Sequence, residues 1–274
     1  MYATIDIGGT KTLITVFTAH GEAKESVKFP TPRDYDQFKS ELSAALQGLE
    51  HHDFQAACVA APGRIDHKNG VAMVFGNLPW VNAPIQADVE SVLHCPAILE
   101  NDAKLAALSE ALLVRDQYRK VLYVTISTGI GGGLVIDGQI DPDFDSIEIG
   151  QMLLEYDGEL RRWEEFASGK AFQAKYNMRV GDMPDDNNGA WYWFARNIAI
   201  GMVHLAATLA PEVIIVGGGA GGHLDKFQER LAEQLKIYET PLLTMPPIQV
   251  AKRPEEAVVY GCYDLARMRY GHHQ

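Results

Sequence analysis

The chain opens with three short apolar runs, each broken by turn residues. Residues 2–7, 12–18 and 24–29 read as strands parted by Gly8-Gly9 and His20-Gly21-Glu22, a pattern that predicts an antiparallel meander. Residues 34–49 then place Phe38, Leu42, Ala45, Leu46 and Leu49 on one helical face, the 3.6-residue period of a packed helix. A buried strand is predicted at 56–61, closing on Pro62-Gly63, then a helix over 85–93 and a strand at 97–100. The helix expected over 102–113 starts at Asn101-Asp102, residue types that cap helices through their side-chain oxygens. Charged residues 115–120 mark a break, after which strands return at 121–127 and 132–137. A long helix over 190–209, a strand at 213–216, a glycine-rich turn and a helix through Lys236 follow. A proline-rich loop, a short strand at 248–251 and a terminal helix over 255–270 complete the order. Only residues 182–189 have the polar composition of a disordered segment.

This alternation is α/β. Two lobes are expected, residues 1–117 and 118–253, with the terminal helix packing back on the first. Residues 5–16 can be laid over 126–137, an offset of 121. Both stretches are strand, glycine-containing turn, strand. Either two glycine-rich hairpins coincide, or a lobe is duplicated and each copy's turn faces one central cleft.

Composition narrows the partners. The chain has 274 residues, 47% of them hydrophobic, enough for a large core in one or two domains. Its 36 acidic and 24 basic residues leave a net charge of −12, which opposes nucleic acid and anionic membrane as partners. Cys58, Cys95 and Cys262 are odd in number and widely spaced, which predicts buried free thiols rather than disulfides or a metal site. The first residues read as a strand and not a signal peptide, and no run approaches the roughly 20 apolar residues that span a bilayer. A cytoplasmic protein is expected. The nine histidines form no cluster; His51-His52 and His272-His273 read as exposed helix-end residues and His204 as a helix-packing residue.

Three glycine clusters carry candidate chemistry. In Asp6-Ile7-Gly8-Gly9-Thr10-Lys11, glycines let backbone N–H groups approach an anion, Thr10 and Lys11 supply a hydroxyl and a charge, and Asp6 can hold Mg²⁺ directly or through water. An ordinary hairpin turn has the same composition. The second cluster, Thr128, Gly129, Gly131, Gly132 and Gly133, reads either as a second phosphate clamp or as a bulged turn between strands. The third, Gly217, Gly218, Gly219, Gly221 and Gly222, joins an apolar strand to a helix, which suits a nucleotide at a helix N-terminus. Asn101-Asp102 is either a plain helix cap or a site in which a carboxylate takes a proton from an attacking hydroxyl.

Three such clusters in this order resemble the actin-like ATPase (ribonuclease H-like) fold, two similar lobes around a central cleft. Within it the chain resembles the ROK family (repressors, open reading frames, kinases). The resemblance rests on residues 6–11, Ala61-Pro62-Gly63, Asn77-Leu78-Pro79-Trp80, Glu100-Asn101-Asp102-Ala103, residues 127–133, Glu148-Ile149-Gly150, Ala167-Ser168-Gly169 and Val216-Gly217-Gly218. It implies an ATP-dependent sugar kinase with Asp102 as base. Gly8, Gly9, Thr10, Lys11, Thr128, Gly129 and Gly131 would bind the phosphates, and Gly217, Gly218 and Gly219 would lie against the adenosine. Gly63, Asn77, Asn101, Asp102, Glu148, Gln151 and Glu164 would bind the sugar. ATP and Mg²⁺ are the implied cofactors, with Asp6 the metal residue. A homodimer formed through the second lobe is the implied assembly.

The sequence departs from the family at one place. ROK proteins usually carry Glu-x-Gly-His and then a Cys-x-Cys-Gly-x-x-Gly-Cys zinc cluster. Here Gln151 replaces the His and no cysteine lies between Cys95 and Cys262, so no zinc is expected. The expected reaction is phosphorylation of a monosaccharide hydroxyl, the 6-OH of a hexose or N-acetylhexosamine. The alternatives are a catalytically degenerate sugar-binding protein and a sugar-responsive regulator. Asp102, Asp6 and the glycine clusters oppose the first. Against the second, a phosphate hairpin starting at residue 6 leaves no room for a DNA-binding segment, and the net charge is wrong for DNA.

Overall fold

The computed structural model describes residues 1–144 and 146–271; the His272-His273 pair lies outside them. Two compact units are present, one of Met1–Ser109 with the terminal segment from Glu256, the other of Glu110–Glu255.

In the first unit the meander is β1 (Tyr2–Ile7), β2 (Lys11–Phe17) and β3 (Ala23–Pro30). Helix α1 (Tyr35–Gln47) and strand β4 (Ala56–Ala61) follow, then three short strands, β5 (Arg64–Asp66), β6 (Val71–Val74) and β7 (Val81–Ala83). Helix α2 (Ile85–Leu93), strand β8 (Ala97–Asn101) and helix α3 (Asp102–Leu112) complete the run. The main sheet has the order β3-β2-β1-β4-β8, with β1 antiparallel to β2 and parallel to β4, and β4 parallel to β8. Central β4 is Ala-Ala-Cys-Val-Ala-Ala, buried throughout, because helices cover both faces. Ala57, Val59 and Ala61 pack with Phe38 and Leu42 of α1 and Val89 of α2. Cys58 and Ala60 pack with Val259, Cys262 and Ala266 of the terminal helix Ala257–Tyr270. Edge strand β3 instead exposes Lys24, Ser26 and Lys28, a polar edge that discourages further pairing. Strands β5, β6 and β7 form a separate small sheet. They are missing from the sequence reading because runs of three or four residues are too short to show alternation.

The second unit begins with β9 (Lys120–Ile126), β10 (Ile130–Ile136) and β11 (Gln139–Ile140). A hairpin, β12 (Leu153–Tyr156) and β13 (Glu159–Arg162), leads into α4 (Trp163–Ala167), α5 (Gly169–Tyr176) and the 22-residue α6 (Asn188–Leu209). Then come β14 (Val213–Gly217), the single turn α7 (Gly218–Gly221), α8 (Gln228–Ile237) and β15 (Ile248–Val250). The sheet order is β11-β10-β9-β14-β15, with β14 parallel to β9 and β15. Each unit therefore has three antiparallel strands followed by two parallel ones, in the same spatial order. The internal repeat is real, but its register differs from the sequence overlay. Strands β1 and β9 end at Ile7 and Ile126, an offset of 119 and not 121. The overlay matched glycine to glycine, whereas Gly131, Gly132 and Gly133 lie inside β10, paired with Thr125, Val124 and Tyr123.

Three further expectations change. Residues 182–189 are ordered: Lys226 Nζ donates to the carbonyls of Gly181 and Met183 at 3.2 and 3.1 Å, and Asn187 caps α6 by accepting the Ala190 N–H. The helix expected through Lys236 forms after the glycine turn but starts only at Gln228, because a further short turn, Leu224–Lys226, intervenes. His204 is exposed on α6, with Nδ1 2.7 Å from the Ile200 carbonyl, rather than packed. The three cysteines are free and buried. No helix among the described residues is long and apolar enough to cross a membrane.

Candidate functional site

The first unit gathers its candidate residues at one end of the main sheet. Asp6, Ala60 and Glu100 share a rung across β1, β4 and β8, and Asn101 and Asp102 follow at once. Asn101 is the cap of α3: its Oδ1 accepts the N–H groups of Ala103 and Lys104 at 3.0 and 3.2 Å. Its Nδ2 donates to the Gly63 carbonyl at 3.1 Å. The capping and sugar-binding readings of this residue are compatible, because one Nδ2 hydrogen remains. Gly63 has φ +104, and a Cβ there would sit 2.0 Å from the Val74 carbonyl oxygen, so no other residue fits the turn out of β4.

Asp102 opens α3 and its Oδ1 accepts the Ala103 N–H at 2.8 Å. Burial raises this carboxyl above the usual range, opposed by backbone N–H bonds. Asp6 is pushed up to about 7, by burial first and by the Asp102 charge second, with Lys28 opposing. Its turn, residues 8–11, closes with Gly8 N–H on the Lys11 carbonyl at 3.0 Å. Thr31, which sequence reading missed, holds that turn: its hydroxyl donates to the Gly8 carbonyl at 2.8 Å and its N–H to Thr10 at 3.0 Å. Thr10 and Lys11 are exposed. Asn77 is exposed beside Gly9, whose hypothetical Cβ would lie 2.8 Å from that of Asn77. Buried Leu78 and Trp80 anchor its loop, the indole N–H reaching the Arg33 carbonyl at 2.9 Å.

The second unit brings together its own set. The turn between β9 and β10 is Ser127-Thr128-Gly129, with Ser127 N–H on the Gly129 carbonyl at 2.9 Å. Glu164 lies against it: Oε2 accepts the Ile130 N–H at 3.3 Å, and a Cβ on Gly129 would fall 2.6 Å from that oxygen. Gln151 Nε2 donates to Glu164 Oε1 at 2.6 Å. A neutral amide beside a carboxylate must present its N–H, so the Gln151 oxygen is left as an acceptor. Glu148 is exposed just before the short helical turn Ile149–Gln151. Glu164 is placed by its neighbour Trp163, fully buried, whose indole N–H reaches the Asn197 carbonyl of α6 at 3.1 Å. Ala167-Ser168-Gly169 works differently. Gly169 N–H donates to the Ser127 carbonyl at 2.8 Å, and Ser168 caps α5. The third glycine cluster meets the end of β9 that enters this turn, since Gly218 stands against Thr125 and Ile126, while Gly219 is exposed with no neighbour where a side chain would stand. In the place of the cysteine-rich loop stands the β12–β13 hairpin.

In the first unit Asp6 is the candidate carboxylate for a divalent cation. Asp6 and Asp102 stand close enough for one charge to oppose ionisation of the other, and Mg²⁺ takes one or two carboxylates, completing its shell with water and phosphate oxygens. No group of three or more His, Cys, Asp or Glu that could hold a metal gathers among the described residues.

The model of the family described as ROK family matches residues 2–269. A glucokinase of Streptomyces coelicolor is 26% identical over 305 residues, covering 96% of each chain. An N-acetyl-D-glucosamine kinase of Haemophilus influenzae is 27% identical, covering 97% of this chain and 99% of its own. The crystal structure of a ROK family glucokinase from Streptomyces griseus, in complex with glucose and AMPPNP, superposes with a TM-score of 0.81 at 24% identity, over 97% of this chain and 99% of that one. The fold is thus that of the actin-like sugar kinases, and with the family model matched from residue 2 to residue 269 the chain belongs to the ROK family.

Proposed function

We propose that this protein is an ATP-dependent sugar kinase in which Asp102 accepts the proton of the hydroxyl being phosphorylated. The carrying observation is the Asp102 carboxyl itself, buried at the first position of α3 with one oxygen fixed by the Ala103 N–H. Sugar hydroxyls are poor nucleophiles near neutral pH, and a fixed carboxylate within reach removes the proton as the oxygen attacks. The sugar oxygen bonds to the terminal phosphorus, the bond from that phosphorus to the bridging oxygen breaks, and ADP departs.

The other residues position and neutralise, which is most of what phosphoryl transfer requires. The turns at 8–11 and at 128–129 offer N–H groups, the Thr10 and Thr128 hydroxyls and the Lys11 amine to phosphate oxygens, and Gly131, ladder-paired in β10, brings no side chain to obstruct them. Gly217, Gly218 and Gly219 leave backbone open to the adenosine. Mg²⁺, when bound, screens phosphate charge; Asp6 would hold it. Asn101, Gly63, Asn77, Glu148, Gln151 and Glu164 bind the sugar, whose phosphorylated group we assign as the 6-OH of a hexose or N-acetylhexosamine. The names of the glucokinase and N-acetylglucosamine kinase relatives support that class of acceptor.

The test is sugar-dependent ADP release with Mg-ATP and glucose, mannose, fructose, allose, N-acetylglucosamine or N-acetylmannosamine. Asp102→Asn should lower turnover by about 10²- to 10⁴-fold with sugar binding largely kept. Full activity in that variant removes Asp102 as base. A sugar that raises the melting temperature without stimulating ADP release would point to a binding protein.

A further inference from the structure

His67 entered no sequence-level grouping, yet the fold sets it against Glu100 on the strand that leads into the candidate base. It follows β5 in the turn towards β6, and its Nε2 lies 3.1 Å from each carboxylate oxygen of Glu100. Glu100 is buried on β8. Its Oε1 also accepts the backbone N–H of Asn101 at 2.7 Å. At the other end of β5, the Gly63 carbonyl accepts the Asn101 side chain. The two ends of one three-residue strand are thus pinned to two consecutive residues of β8, immediately before Asp102.

We propose that His67 is a positioning residue: through Glu100 it holds the Asn101 peptide and so aims the Asn101 amide and the Asp102 carboxylate at the sugar. The inference rests on the kinase reading above. The physical reason is that a buried carboxylate must be satisfied by donors. With the imidazole in place, Glu100 is held at both oxygens and its bond to the Asn101 N–H has a fixed direction. Without it, the carboxylate turns towards water or other donors and the peptide is released. Asn101 spends its Oδ1 on the α3 cap and one Nδ2 hydrogen on Gly63, so a small rotation of its backbone redirects the single hydrogen left for a substrate hydroxyl. Asp102, next in the chain, moves with it.

Two measurements on the full chain test this. His67→Ala removes the donor, and His67→Gln keeps an amide donor. The side chain is 35% exposed, so both variants should fold. Amide hydrogen exchange across residues 100–104 should quicken in His67→Ala and stay near the wild-type rate in His67→Gln. In steady-state kinetics His67→Ala should raise the sugar KM about tenfold with the ATP KM unchanged, and His67→Gln should return it to within about threefold of wild type. Unchanged exchange in His67→Ala overturns the clamp. Faster exchange with an unchanged sugar KM overturns the positioning role, and so does equal impairment in both variants. A wild-type protein inactive on every sugar would refute the kinase reading and this role in aiming substrate groups, while the exchange arm still decides whether His67 fixes the Asn101 peptide.

Discussion

The charge on Asp102 makes Asp6 harder to ionise, second only to burial, and this has a sign that solution measurements can read. Asp6 titrates at about 7 in the folded chain and near the ordinary 3.9 when unfolded. Between these values the folded state binds more protons, so stability falls as pH rises from about 4 to about 7, by up to about 1.4 kcal/mol per pH unit. The wild type should therefore lose melting temperature from pH 5 to pH 8 relative to Asp6→Asn in the absence of divalent ions. Added Mg²⁺ should raise the wild-type melting temperature more at pH 8 than at pH 5, since the cation competes with the proton; an equal gain at both would remove Asp6 as a metal residue. Asp102→Asn should lower the Asp6 value, a shift visible in carboxyl carbon NMR. At this scale the sequence was legible for Asp6, Asn101 and Asp102, whose motif neighbours announce them. It was not legible for Thr31, Trp163 or His67, whose partners lie 23, 34 and 33 positions away.

Helix α3 carries Asp102, and the terminal helix fixes where it lies. Gly261 packs so closely that a Cβ there would stand 2.0 Å from the Leu105 carbonyl oxygen. The obstacle is backbone, so α3 must shift to admit a methyl. Gly261→Ala should cost about 2–3 kcal/mol by chemical denaturation, in the range of core overpacking. It should also lower turnover, because the first turn of α3 moves with the rest. Full stability in this variant would show that the two helices separate without penalty. Element identity was largely visible beforehand: the period of Phe38, Leu42 and Leu46 specifies α1, and unbroken small apolar residues specify β4. The small β5–β6–β7 sheet was not visible, because its strands are held by pairing and by Gly63 rather than by local propensity.

Across the whole molecule, the first unit is completed by residues that follow the entire second unit. Val259, Cys262, Tyr263 and Ala266 cover Tyr2, Phe17, Cys58 and Ala60 on one face of the main sheet. A chain ending at Glu255 would leave that apolar face bare, an exposed surface that promotes association. It should appear mainly in the insoluble fraction on expression, and a soluble monomeric product with a cooperative melt would refute this account. The matching strand orders of the two units were foreshadowed by the repeated strand, glycine turn and strand. Their register was not, because equal spacing of glycines differs from equal position in a ladder.

What the sequence alone determined is what neighbours within a few residues can encode: the meander, the capped start of α3, the glycine turns and the family. Tertiary structure decided which turn glycines became strand residues, that Gln151 presents its amide to Glu164, and that His67 reaches Glu100. These depend on segments 13 and 33 residues apart meeting through packing of sheets and helices. A linear pattern carries no term for that, since the energy comes from burial and hydrogen bonding between elements whose relative placement the pattern leaves free.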